Sequence, residues 1–223
     1  MTIQNIISQL GEGMLKTALL FVATLAISLP LGLIISFGRM SKWAPFGGKF
    51  KPIRLLTQVY ISVMRGTPLM LQIMVVYFGP YYLFGIKIST SYQIYAAIIA
   101  FAINYAAYFA EIYRGGIESM PVGQYEAAKI LGFTKAQTFF KIILPQVMKR
   151  ILPSITNEVI TLVKDTSLAF VIAYAEMFTM AKRIAAKETS MVPFVAAGIF
   201  YYVFNLIVAL VMNRIEKSMS YYR

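Results

Sequence analysis

The sequence predicts an all-α membrane protein with five transmembrane helices in a single domain over residues 1–223. Hydrophobic residues make up 59% of the chain and charged residues only 13%, against roughly 25% charged in an ordinary soluble protein. Residues 17–38 and 189–213 carry no charged side chain. Because a membrane-spanning helix needs about 20 apolar residues, each of these runs is long enough to cross a bilayer.

The five predicted spans cover about residues 17–37, 55–84, 92–113, 154–174 and 191–212. The second span is too long for one straight crossing and should be interrupted near residues 65–68. Pro68 removes a backbone donor there and disfavours helical geometry at Thr67. Broken helices at membrane depth are places where transporters expose backbone groups to a substrate, although a simple structural kink would leave the same signal.

The basic residues predict the topology. The loop after the first span contains no acidic residue and a series of basic ones: Arg39, Lys42, Lys49, Lys51 and Arg54. Basic loops remain on the cytoplasmic side, so the N-terminus should lie outside. Five spans then place the C-terminus inside, where the last segment carries Arg214, Lys217 and Arg223.

A polar, basic segment between the third and fourth spans, residues 119–145, predicts a rigid helix-turn-helix elbow. Its first helix is favoured by three consecutive helix formers: Glu126, Ala127 and Ala128. Gly132 suits the left-handed position that ends such a helix. Thr134 and Gln137 match a capping box that starts a second helix, and Pro145 is predicted to end it.

Polar side chains at predicted membrane depth are the candidate functional residues. Asn104, Tyr108 and Glu111 share one face of the third span, and Asp165 lies beside Lys164 near the predicted bilayer centre. Charges at that depth face the bundle interior and mark a substrate or ion path, with a buried structural pair as the alternative. We predict a substrate site formed by Thr67, Asn104, Tyr108, Asp165 and Thr166.

Glu111 needs a positive partner at the cytoplasmic end of the third span. We predict an ion pair with Arg65, because either charge would be costly alone inside the membrane. Arg114 could compete for Glu111, since side chains three residues apart meet on a helix.

Several function classes are excluded by composition. The chain has no cysteine and no histidine, which removes thiol chemistry, disulfides, zinc sites built on these residues and triads with a histidine base. It contains no GxxxxGK[ST] loop, so ATP hydrolysis is expected on another subunit and no enzyme activity or bound cofactor on this one. The net charge of +12 comes from loops beside apolar spans, which argues against nucleic-acid binding. The first apolar run is predicted to stay as a span, not a cleaved signal peptide.

The elbow carries a spaced motif that resembles the EAA signature of ATP-binding-cassette (ABC) importer permeases. The motif is Glu126-Ala127-Ala128, three residues, Gly132, nine residues, then Ile142, one residue and Leu144-Pro145. Three further segments, Arg65–Leu69, Ala110–Ile117 and Lys164–Leu168, look like the polar amino acid uptake branch of that family. The resemblance covers nearly the whole chain.

The resemblance implies a permease subunit for a polar amino acid in the plasma membrane of a prokaryote. Its implied partners are membrane lipid, a second permease subunit, an extracellular amino-acid-binding protein and a cytoplasmic ATPase dimer that binds ATP and magnesium. Glu126, Ala127, Ala128 and Gly132 would couple the elbow to that ATPase.

The predicted site suits such a substrate. A zwitterionic amino acid needs an anionic group for its ammonium and donors for its carboxylate, for which Asp165 and Lys164 are candidates. Glutamine, glutamate, cystine and the cationic amino acids remain open as substrates, and the second permease could be a copy of this chain or a different one.

The alternative is a stand-alone secondary carrier or channel that uses Lys164, Asp165 and Glu111 for ion coupling. That alternative explains the intramembrane charges but not the elbow. An ATPase that binds this chain would distinguish the two.

Overall fold

The computed structural model describes residues 3–45 and 50–219, and every regular element in those ranges is a helix. In chain order these are α1 (Ile3–Met40), α2 (Pro52–Gly66), α3 (Leu69–Phe84), α4 (Tyr92–Glu118), α5 (Val122–Ile130), α6 (Lys135–Gln137), a π-helical turn (Thr138–Ile143), α7 (Leu144–Asp165), a 3-10 helix (Thr166–Ile172), α8 (Met177–Glu188) and α9 (Val192–Ser218). Lys49 and Arg223, which belong to the predicted basic loop and tail, lie outside the described residues. The all-α prediction is confirmed.

Three helices in the described ranges, α1, α4 and α9, are long and apolar enough to cross a membrane, and the bent pair α2–α3 makes up to four. The first helix begins at Ile3, well before the predicted start at residue 17, and continues through Pro30 to Met40. A proline inside a membrane helix is tolerated where neighbouring groups satisfy the freed backbone. The number of five spans and the side of each terminus stay predictions.

The region predicted as the fourth span differs from the prediction. α7 begins at Leu144, and Pro145 lies in its first turn, so the prediction that Pro145 ends a helix is wrong. Proline has no N–H to donate and its ring clashes with the carbonyl four residues earlier, but both problems are small in a first turn. The π-helical turn Thr138–Ile143 directly before it relieves the remaining crowding. α7 ends at Asp165 and continues as the 3-10 helix to Ile172.

α4 is the central helix, and α1 packs along it more extensively than any other pair of helices. The contact is close because the facing residues are small. A Cβ atom at Gly32 would lie 2.8 Å from the Cβ of Phe109 and 3.0 Å from the carbonyl oxygen of Ala106. Small residues at helix interfaces let membrane helices approach in this way. Because α4 is central, its middle lies next to the break between α2 and α3 and next to α7.

A short helix, α8, follows the 3-10 helix, between the predicted fourth and fifth spans. Glu176 caps it: the buried carboxylate accepts hydrogen bonds from Phe178 N and Thr179 N, each at 2.7 Å. The hydroxyl of Tyr201 in α9 donates to the same carboxylate at 2.9 Å. Because these bonds satisfy the buried charge, they fix α8 against α9.

Candidate functional site

The break in the second predicted span lies where the sequence places it. α2 ends at Gly66, Thr67 and Pro68 are extended, and α3 begins at Leu69 with its axis turned by 108°. Pro68 causes the break because it has no N–H and disfavours helical geometry at Thr67.

The break leaves one specific backbone group without its helical partner. In an uninterrupted helix the carbonyl of Met64 would accept from the N–H of residue 68, which is a proline. Two side chains replace that donor: Asn104 Nδ2 and Gln72 Nε2 each donate to Met64 O at 3.0 Å. Asn104 Nδ2 also donates to Gln72 Oε1 at 3.0 Å, and Gln72 Nε2 donates to Thr67 Oγ1 at 2.8 Å. The break is therefore stabilised by side chains from α3 and α4.

A cavity of about 260 Å³ opens beside this break, between α4 and α7. Four of the five residues predicted to bind substrate lie in its wall: Thr67, Asn104, Tyr108 and Asp165. The other lining residues, which are not among the predicted site residues, are Leu69, Tyr105, Glu158 and Thr161. The volume suits a ligand smaller than a drug-sized molecule.

Asp165 is positioned by a residue from the neighbouring helix. The hydroxyl of Tyr105, which is almost completely buried, donates to Asp165 Oδ2 at 2.7 Å. This bond holds the carboxylate at the end of α7 against the middle of α4 and leaves its second oxygen for another donor.

Glu158 adds a second carboxylate to the cavity wall. The predicted fourth span begins near residue 154, which would place Glu158 in its first turns, but α7 begins at Leu144 and Glu158 lies well inside it. Glu158, Thr161 and Asp165 are spaced i, i+3 and i+7, so they share one face of α7. That periodicity is the signal that could have found Glu158 and Thr161.

Two other polar residues of this region are placed away from the cavity. Thr166 was predicted to bind substrate, but its fully buried hydroxyl donates to the carbonyl of Val163 at 2.7 Å. The tight 3-10 geometry after Asp165 turns it toward its own backbone. Lys164 is exposed and does not belong to the cavity wall.

The predicted ion pair between Arg65 and Glu111 is not formed. Arg114 pairs with the Glu111 carboxylate instead: its Nη2 lies 2.6 Å from Oε2, and its Nε lies 3.2 Å from both oxygens. Arg39 Nε lies 3.8 Å from Oε1 of the same carboxylate. A partner three residues away on the same helix is already close, whereas Arg65 would have to reach across from another helix. Arg65 lies instead over the ring of Tyr108, with Cζ 5.2 Å from the ring centroid.

The elbow has the caps that the sequence predicts. Gly132 adopts the left-handed conformation with φ +78°. Its N–H bonds to Lys129 O at 3.1 Å and the N–H of Phe133 bonds to Ala128 O at 3.0 Å, which together form a Schellman motif. The capping box of Thr134 and Gln137 is present, with reciprocal bonds of 3.2 and 2.9 Å.

The residues predicted to contact an ATPase divide between an inner and an outer face of the elbow. Ala128 is buried against the protein, whereas Glu126 and Ala127 are exposed. Large apolar side chains of the elbow are exposed beside them, Ile130 at 86% and Leu131 at 73%. Exposed apolar residues that lie together mark an interaction surface.

Comparison with known proteins gives consistent matches over nearly the full chain. A family model described as binding-protein-dependent transport system inner membrane component matches residues 28–221. The arginine transport system permease protein ArtQ of Bacillus subtilis (strain 168) is 37% identical over 210 residues, which cover 94% of this chain and 91% of the relative. The L-cystine transport system permease protein TcyB of the same organism is 35% identical over 215 residues, which cover 96% and 87%. A solved structure titled crystal structure of an amino acid ABC transporter with histidines is 32% identical, with a TM-score of 0.84 over 98% of this chain and all of that one.

A helical bundle with a broken helix, a polar cavity at the break and an exposed capped elbow defines a membrane-embedded transport subunit. The chain belongs to the family of binding-protein-dependent transport system inner membrane components. It is a multi-pass permease subunit of the amino acid ABC importers, as the sequence motifs predict.

Proposed function

We propose that this chain forms half of a membrane pathway through which a polar amino acid enters a prokaryotic cell across the plasma membrane. The amino acid is delivered by an extracellular binding protein, and a second permease subunit completes the pathway. ATP and magnesium bind to a separate cytoplasmic ATPase dimer, which drives transport. The two relatives described above are named for arginine and for L-cystine, so family membership alone supports the substrate class and not one amino acid.

The observation that carries the proposal is the cavity at the helix break. In the described part of the chain its wall contains two carboxylates, Asp165 and Glu158, and no lysine or arginine. These groups suit the ammonium group of an amino acid, and the Oγ1 of Thr67 and the ring of Tyr108 complete a partly polar wall. The amide nitrogen of Asn104 is already bonded to Met64 O and Gln72, so its main role in this arrangement is to hold the break.

We infer five membrane crossings, with the N-terminus outside and the C-terminus inside. Two loops on one end of the bundle support this topology. Arg39, at the end of α1, lies 3.8 Å from Glu111 near the end of α4, so the basic loop after α1 and the elbow after α4 are on the same side. A basic loop favours the cytoplasmic side, where an ATPase would reach the elbow.

We infer that the elbow is the coupling element. Its caps make it rigid, and Arg150 Nη1 ties it to α7 through the Ser119 carbonyl at 2.7 Å. A movement of the elbow would therefore be passed to α7, which carries Glu158 and Asp165. The stand-alone carrier remains the alternative from the sequence, and none of the matched proteins supports it.

The first experiment is amino acid uptake into proteoliposomes that contain the complete transporter, ATP and the binding protein. Asp165→Asn and Glu158→Gln remove one charge each without changing side-chain size. Each should lower uptake by roughly 10-fold or more, because a charge-assisted hydrogen bond to the substrate is lost. Glu12→Gln, which removes an exposed carboxylate in α1, is the matched control. Uptake at the wild-type rate by both cavity variants would refute the cavity as the binding site.

The second experiment tests the coupling partner by purification of the tagged chain from its own membrane in mild detergent. An ATPase should co-purify with the wild type and be lost from the Glu126→Lys variant, which reverses an exposed charge of the elbow. A chain that is purified alone, intact and able to transport along an ion gradient would support the carrier instead.

A further inference from the structure

Arg65 forms no ion pair among the residues that the structure describes. Its predicted partner, Glu111, is held by Arg114 and Arg39. Across residues 3–45 and 50–219, the guanidinium of Arg65 makes a cation–π contact with Tyr108 but no ion pair or side-chain hydrogen bond. The side chain of Arg65 is exposed, so its guanidinium is accessible to a ligand.

The position of Arg65 connects it to the proposed substrate cavity. Tyr108, whose ring the guanidinium covers, belongs to the cavity wall, and so does Thr67, two residues along the chain. Arg65 itself is not part of the wall; it lies at the end of α2, against the ring of Tyr108. It is also near enough to Glu158 for the two charges to interact electrostatically.

The geometry leaves the hydrogen-bonding groups of Arg65 available. A guanidinium stacked on a ring uses its face, whereas its N–H groups lie along its edge in a fork that matches a carboxylate. The tyrosine ring therefore supports the guanidinium without occupying the donors that would bind a ligand.

Within the described part of the chain, the cavity wall contains no cation to pair with the carboxylate of an amino acid. Its two carboxylates, Asp165 and Glu158, suit an ammonium group and repel a carboxylate. The amide nitrogen of Asn104 is already occupied, and Lys164, the candidate from the sequence, is exposed outside the wall. Arg65 is also exposed and outside the wall, but it contacts the wall residue Tyr108.

We propose that Arg65 binds the α-carboxylate of the transported amino acid at the rim of the cavity, while the carboxylates of α7 bind its ammonium group. This inference rests on the proposed function, because it assumes that the cavity holds the substrate. It makes Arg65 a specificity-determining residue that selects amino acids over amines, and the ring of Tyr108 keeps the guanidinium in place.

The test compares each amino acid with the amine that remains when its carboxylate is removed. The permease–ATPase complex is purified without the binding protein, placed in lipid nanodiscs, and titrated with five pairs: L-arginine and agmatine, L-histidine and histamine, L-glutamine and 4-aminobutanamide, L-glutamate and 4-aminobutyrate, and L-cystine and cystamine. We expect the wild-type complex to bind at least one amino acid roughly 10- to 100-fold more tightly than its amine, as a charge-assisted bond would give. Arg65→Gln should weaken binding of the amino acid by that factor and leave binding of the amine unchanged.

Two further variants separate recognition from damage to the fold. Arg65→Lys keeps the charge but loses the fork, so it should retain part of the preference for the amino acid. Arg54→Gln removes an exposed arginine in the first turn of the same helix and should change neither affinity. If Arg65 had a purely structural role, Arg65→Gln would weaken binding of the amino acid and of the amine equally. That result would overturn the inference.

The same titrations separate failure of this inference from failure of the proposed function. If the wild-type complex binds none of the five amino acids, or if Asp165→Asn has no effect on their binding, the cavity is not the site and both proposals fall. If Asp165→Asn weakens binding as proposed but Arg65→Gln leaves the preference for the amino acid over the amine unchanged, only the role of Arg65 is wrong.

Discussion

In the elbow, the capping hydrogen bonds connect residues three to five positions apart, whereas the bonds that Asn104 and Tyr105 make at the cavity connect residues 32 to 60 positions apart. Gly132 and Thr134 need nothing beyond their own neighbours to adopt their conformations. The cavity exists only where the break before α3 meets α4 and α7, and the bond between Tyr105 and Asp165 holds those two helices at one distance.

Because their bonds differ in range, the elbow and the cavity should respond differently when helices move. An element held by local bonds can move as a rigid body, so the elbow can pass on a displacement without deforming. A cavity held by bonds between helices changes its shape whenever those helices move against each other. A permease that opens to one side at a time requires both properties, and changes in either region should show which property is lost.

The largest effect is expected from Asn104→Leu, which removes a long-range contact of the cavity. Leucine is similar in size but cannot donate to Met64 O or to Gln72 Oε1. Met64 O keeps its bond from Gln72 Nε2, whereas Gln72 Oε1 is left without a partner, which costs about 1–3 kcal/mol. Amino acid uptake should fall by more than roughly 100-fold, since the break and the cavity are distorted together. Uptake into proteoliposomes and the thermal midpoint of the purified complex measure the two consequences.

Asn213→Leu, an exposed asparagine near the end of α9, is the control for the same chemical change. It should leave uptake and the thermal midpoint close to those of the wild type. If Asn104→Leu transported at the wild-type rate, the break would not depend on side-chain contacts from α4.

A smaller effect is expected from Tyr105→Phe, which removes only the hydroxyl that donates to Asp165. Loss of one hydrogen bond to a charged group should cost about 1.5–3 kcal/mol and lower substrate affinity by roughly 10-fold, because Asp165 loses its fixed position. Tyr113→Phe on the same helix provides a comparison, since its hydroxyl makes no hydrogen bond within the described ranges. Equal affinities for the two variants would show that the bond does not position Asp165.

The range of the contacts also determines what the sequence could predict. The left-handed glycine, the capping box and the break at Thr67 and Pro68 are decided by a few adjacent residues, and the structure has each of them as predicted. The prediction for Pro145 is wrong because the π-helical turn before it depends on how the elbow joins α7.

The cavity could be predicted in part, because helical periodicity and depth are visible in a sequence. These signals correctly brought Thr67, Asn104, Tyr108 and Asp165 together. They could not show that the hydroxyl of Tyr105 reaches Asp165 or that Gln72 replaces the missing donor of Pro68, because those bonds depend on how helices rotate against each other.

The expected effect of Gly132→Val is moderate and confined to the elbow. A branched side chain is strained at φ +78°, which costs about 1–2 kcal/mol, so the Schellman motif should open for part of the time. The amount of ATPase that co-purifies with the tagged chain should fall roughly 5-fold, because docking requires the closed motif. Gly132→Asn should retain most of the ATPase, since asparagine tolerates this conformation best after glycine. Similar losses for valine and asparagine would mean that the side chain itself interferes with docking.

The smallest effect is expected from Thr134→Ala, which removes one N-cap and should lower the stability of the second elbow helix by about 1 kcal/mol. Amide hydrogen exchange in the turn after Thr134 should accelerate by roughly 5-fold, while Thr134→Ser keeps the cap and should exchange like the wild type. Substrate affinity in the isolated permease–ATPase complex should not change, because no bond of the cavity involves this residue. A shift in affinity together with the exchange would show that the cavity senses the internal state of the elbow, and the elbow could then no longer be treated as a rigid body that only transmits motion.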